Sequence, residues 1–78
     1  MLRIETDPKA DAVYIHLNDL PIAYTKELDD NRYIDYAHDG SPVGVSLLSV
    51  SDGVDVEDLP SEGKIRKALD GLELKILA

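Results

Sequence analysis

The chain holds two histidines, His16 and His38, and no cysteine. Any metal site would therefore rest on imidazole and carboxylate ligands, and any nucleophile would be a hydroxyl. Asp35, His38 and Asp39 form the densest grouping of that kind, beside an Asp-Gly turn. An ordered site needs three or four ligands braced by outer hydrogen bonds, and nothing in this spacing requires one. A histidine next to a tight turn is ordinarily a solvated turn residue. The acids Asp52, Asp55, Glu57 and Asp58 evoke calcium, but they lack the alternating ligands, central glycine and terminal glutamate of a calcium-binding loop. They read as a solvated acidic linker.

Covalent catalysis has no better anchor. Serines 41, 46, 49, 51 and 61 are scattered through turns and one strand, without the glycine-flanked sharp turn that exposes an activated hydroxyl. Paired carboxylates for glycoside chemistry need an enclosing cleft, which a sheet with one short helix does not offer within a single subunit. The glycines at 40, 44, 53, 63 and 71 never form a phosphate-cradling loop. No residue is assigned a catalytic, cofactor-binding or metal-binding role on these patterns.

The most chemically mixed stretch, DPKADAVYIHLND at residues 7–19, is better explained by the element it belongs to. Val13, Ile15 and Leu17 alternate with Ala12, Tyr14 and His16, which is the period of a half-buried strand. An Asp-Pro turn precedes it and an Asn-Asp turn follows. The same alternation appears at Leu2 and Ile4 before this strand, and at Ile22, Tyr24 and Leu28 after it. It returns in RYIDY at 32–36 and PVGVSLLSV at 42–50. In RYIDY, Ile34 and Tyr36 oppose Tyr33 and Asp35, with either side open to being the core. The Asp-Gly at 39–40 is the strongest hairpin signal.

After residue 53 the period lengthens to near four, with Ile65 and Leu69 on one face of a short helix. Ser61 is the expected N-cap and Gly71 the C-cap, and the late basic residues complement the helix dipole. Gly63 lowers helix propensity by about 1 kcal/mol relative to alanine, so the helix must draw support from packing. LELKIL at 72–77 alternates again, as a sixth short strand or an edge-lying tail. The expected class is α+β: an antiparallel β-meander of about five strands, one short C-terminal helix and a possible last strand, with residues 1–78 as a single domain. Strand order is left open.

The runs IETDPKADAVYI, ELDDN and IDYAHDGSPVGVSLL, with a Leu-Pro before the helix, resemble the small acidic prokaryotic proteins grouped as domain of unknown function 2283. That resemblance implies a β-meander with a C-terminal helix, and no activity, cofactor or catalytic residue.

Sixteen acidic against eight basic residues give a formal charge of -8, which repels phosphate backbones and makes nucleic acid a poor partner. Neither a basic segment leading a long apolar run nor a stretch of some 18 apolar residues is present, so a cytoplasmic protein with no membrane partner is expected. Seventy-eight residues lie near the lower limit for a self-supporting core, and the chain has no disulfide to help.

A ten-residue helix, about 15 Å long, is too small to cover a five- or six-stranded sheet. The leading expectation is therefore a non-catalytic interaction module that self-associates, most simply as a homodimer. One alternative is an antitoxin-like acidic antagonist of a basic partner protein. Another is a metal-dependent enzyme whose site is assembled across subunits from Asp35, His38 and Asp39.

Overall fold

A computed structural model describes residues 2–72 and 74–77. Five strands form one antiparallel sheet: β1 (Arg3–Asp7), β2 (Ala12–His16), β3 (Tyr24–Asp29), β4 (Arg32–Tyr36) and β5 (Pro42–Leu48). Their spatial order is β1-β2-β5-β4-β3. The α+β class, the five antiparallel strands, the C-terminal helix and a short last strand agree with the sequence pattern. The chain makes a β1–β2 hairpin, crosses the sheet end, and returns as a β3–β4–β5 meander whose last strand pairs with β2.

That insertion makes β5 the central strand. On one face, Ile4, Ile15, Val45 and Ile34 lie opposite one another across four strands. Val13 and Leu47 form the neighbouring pair. Every one of these except the edge residue Ile4 is buried. Ile34 therefore faces the core, which settles the side of β4 that local alternation left open. The crossing from β2 to β3 is held by Asn18, whose side-chain N–H₂ donates to the Pro42 carbonyl at 2.7 Å while its Oδ1 accepts the Leu20 N–H at 2.7 Å.

Ile22, expected on the third strand, lies in this crossing, and the strand begins at Tyr24. The intervening chain must span the ends of β5 and β4 before it can pair, and Pro21 has no N–H for a ladder. A bulge between Glu27 and Asp29 further shifts the alternation toward Leu28.

The aliphatic face is covered by the C-terminal part of the chain. A 3-10 turn (Val50–Asp52), strand β6 (Val54–Asp55), the connection that follows it and helix α1 (Glu62–Asp70) contribute Val50, Val54, Val56, Leu59, Ile65 and Leu69 to the same buried cluster. The closing strand β7 (Ile76–Leu77) pairs in parallel with β6 rather than joining the main sheet. Glu73, within the expected closing strand, lies outside the described residues, as do Met1 and Ala78.

Arg32 fastens this cover to the sheet. Its Nη1 donates to the carbonyls of Asp55 at 3.2 Å and Glu57 at 2.7 Å, while Nε donates to Asp29 Oδ2 at 2.8 Å. Desolvation opposes ionisation of Asp29, but hydrogen bonds from Asn31 and Arg32 outweigh it and hold the carboxyl below its usual range.

Ile65 and Leu69 are fully buried on one stripe of α1, and Arg66 and Glu62 approach to 3.6 Å on its outside. Ser61 occupies the N-cap but makes no side-chain cap bond, and Gly71 sits at the C-cap with a right-handed φ of -65°. Gly71 therefore does not serve the left-handed stop for which glycine is usually required. Gly63 is helical, and a Cβ there would meet no atom within 4 Å. Gly63→Ala should stabilise the protein by about 0.5–1 kcal/mol. Urea unfolding of the two proteins, with unchanged slope, checks this.

Candidate functional site

The outer face of the sheet is built by the residues that alternate with the core. Arg3, His16, Gly44, Asp35 and Thr25 lie in one cross-strand row, and Glu5, Tyr14, Ser46, Tyr33 and Glu27 in the next. None of them joins the aliphatic cluster. The arrangement is polar and interlocked. Tyr14 Oη donates to Asp35 Oδ2 at 2.7 Å, and Thr25 Oγ1 donates to Asp35 Oδ1 at 2.6 Å. His16 Nε2 hydrogen-bonds Glu5 Oε1 at 2.5 Å, with its ring edge-on to Tyr14 at a centroid separation of 4.7 Å. Tyr33 Oη donates to Glu27 Oε1 at 3.1 Å.

Tyr14 reaches Asp35 by leaning diagonally over Gly44. A Cβ built at Gly44 would lie 1.9 Å from Tyr14 Oη and 2.4 Å from its Cζ. Glycine is required there by space rather than by backbone angle. This is the detail that strand alternation alone missed: a glycine in a central strand signals a close approach, but its visitor sits thirty positions earlier in the chain.

Desolvation, the hydrogen bond to Asp35 and the negative charges of Asp35 and Glu5 push the Tyr14 phenol well above the ordinary tyrosine range. Its hydroxyl is consequently a fixed donor. Tyr33, half-buried on this face, is also raised, first by its hydrogen bond to Glu27.

The Leu17–Ala23 crossing borders this face. Leu20, Pro21 and Ile22 form one wall of a shallow groove of about 640 Å³, with Glu5, Tyr14, His16 and Asp35 among its other lining residues. Leu20, Ile22 and Tyr24 are exposed, and Tyr24 stacks on Tyr36 at 5.2 Å.

Asp35, His38 and Asp39 are placed in separate roles. Both Asp35 oxygens already accept hydroxyls, and His38 is exposed in the β4–β5 turn. Asp39 accepts the Ser41 N–H at 2.9 Å, a bond that lowers its pKa. Among the described residues of one chain, no group of three or more histidines and carboxylates is arranged to hold a metal ion.

Asp11, the last acid of the first turn, has a left-handed φ of 53°. Its carboxylate accepts both the N–H and the hydroxyl of Ser51, at 3.0 and 2.6 Å, while its carbonyl accepts the Val50 N–H at 3.1 Å. The turn is thus a clasp on the chain leaving β5. Within the linker acids, Asp55 Oδ1 accepts the Glu57 N–H at 2.9 Å. No helix among the described residues is long and apolar enough to cross a membrane.

Gly44→Ala should destabilise the protein by about 2–4 kcal/mol, because the new methyl group expels the tyrosine ring from its charged hydrogen bond. In a Tyr14→Ala background the same change should cost much less, and a double-mutant cycle in urea measures that difference.

Since the folded pKa of Tyr14 is raised, its contribution to stability is full below the unfolded tyrosine value of about 10 and is lost as pH rises through the folded value. NMR of the tyrosine Cζ carbons should show Tyr14 still protonated above pH ~10, with Asp35→Asn moving its titration downward.

No curated protein and no solved structure matches this chain. A family model described as "Protein of unknown function (DUF2283)" matches residues 3–51. The matched segment runs from the first residue of β1 to Ser51, the residue clasped by Asp11, and so contains the entire five-stranded sheet. The chain belongs to this family of proteins of unknown function.

Proposed function

We propose that the protein is a non-catalytic interaction module that associates with a second copy of itself. The observation that carries this reading is an open sheet: among the described residues, β1 and β3 are outer strands, each paired on one side only. An unpaired strand presents a row of backbone donors and acceptors that another strand can satisfy. The exposed side chains of Leu20, Ile22 and Tyr24 add apolar surface beside one end of the sheet. The bare outer face itself is not apolar. Its centre is a hydrogen-bonded polar row, so water can remain there at little cost, and the edges are the better candidates for association.

A second reading, an acidic antagonist of a basic protein, is favoured by one feature. The outer face carries Glu5, Asp7, Glu27 and Asp35 with Arg3 as a countercharge. Such a field would speed encounter with a cationic surface.

Salt separates the two. Two copies bearing -8 each repel at long range, so moderate salt screens an opposing force and leaves a homodimer intact. An acidic–basic complex loses its attraction under the same conditions. Sedimentation of the purified protein at micromolar concentration should show a dimer that persists as salt is raised. A monomer throughout, together with a salt-labile complex recovered from the native host, would favour the antagonist instead.

A further inference from the structure

We propose that two copies join along β1, antiparallel, about a twofold axis passing through Ile4, making one continuous sheet across both. This rests on the self-association reading above and specifies its surface.

The two outer strands differ in a way that selects β1. The β3 edge carries Lys26 and a bulge between Glu27 and Asp29, both devices that discourage strand addition. The β1 ladder instead keeps a straight register over five consecutive pairs, from Arg3↔His16 to Asp7↔Ala12. It is the edge with the regular register.

Register follows from the side chains. A twofold axis perpendicular to a sheet preserves its faces, so each residue must meet one of the same parity. With the axis at Ile4, Arg3 meets the partner's Glu5 and Glu5 meets the partner's Arg3, giving two opposite-charge pairs on the outer face. On the inner face Ile4 meets the partner's Ile4 and Leu2 meets the partner's Thr6. Moving the axis to Arg3 sets two arginines directly opposite, and moving it to Glu5 sets two glutamates opposite at the centre although Arg3 then meets the partner's Asp7; the axis at Ile4 is the one of the three with no like-charge pair.

The groups are accessible for this pairing. The side chains of Arg3 and Glu5 are 66% and 64% exposed; within one chain they stand 4.0 Å apart and Glu5 Oε1 also bonds His16 Nε2, so a partner's charges would add to or exchange with these exposed contacts. Ile4 packs against the rim of the buried cluster but remains partly open, so a facing isoleucine would extend the aliphatic row Ile4–Ile15–Val45–Ile34 across the boundary.

Sedimentation equilibrium of the full chain and of two charge variants tests the assignment. Arg3→Glu and Glu5→Arg should each weaken the homodimer at least tenfold, with circular dichroism and melting confirming that each still folds. Mixing the two variants should restore a dimer, because every cross-strand charge pair is again opposite. A wild-type dimer that neither variant weakens would overturn the β1 assignment and leave self-association standing. Weakened variants that fail to recover on mixing would also overturn it. A wild-type monomer would remove both.

Discussion

The structure depends on the position of β5. Hydrogen-bonded to β2 on one side and β4 on the other, it is the middle strand that joins the β1–β2 hairpin to the β3–β4 pair and so holds the sheet together. Its inner residues Val43, Val45 and Leu47 are buried, and burial of each such side chain is worth about 1.5–3 kcal/mol. Its outer residue Gly44 carries no side chain, and the vacated space is taken by the Tyr14 ring. One strand therefore seals the core on one side and fixes a polar row on the other.

The small helix does not cover the sheet alone. Two of the buried side chains come from α1, and four more from the segment between Val50 and Leu59. That segment contains little regular structure of its own, so it relies on clasps. Asp11 holds its start through Ser51, and Arg32 holds its middle through the Asp55 and Glu57 carbonyls. Each clasp links residues far apart in sequence and satisfies polar groups that would otherwise compete with packing. The fold is thus a sheet whose loops reach across to secure its own cover.

Local alternation was enough to identify β1, β2, β4 and β5, because a strand with one wet face must alternate whatever its neighbours are. It also separated Val13 and Ile15 from Tyr14 and His16. It could not order the strands: the β2–β5 pairing joins residues some thirty positions apart, and nothing in either segment names its partner. The turn chemistry of residues 7–11 was legible, but the target of Asp11 was not. Gly71 stands where a helix stop was expected yet adopts a right-handed angle, so glycine at that place carried a weaker meaning than its type implied. Asp35 stands near His38 and Asp39 in sequence, a grouping that could be drawn as a metal site but whose spacing required none. Its carboxylate is engaged instead by Tyr14 and Thr25, which are close only after the sheet forms.

Among the described residues, a polar face without a cover and two edges without a partner strand mark a sheet stabilised mainly from one side. The organisation predicts a gradient of stability from the centre outward, since opening β5 must break both ladders and expose the cluster, whereas fraying at β3 breaks one. Amide hydrogen exchange resolved by residue tests this directly. Slowest exchange in β5 and in the sides of β2 and β4 that face it, with β3 far less protected, is the result expected. Uniform protection across all five strands, or rapid exchange within β5, would contradict the central place given to that strand.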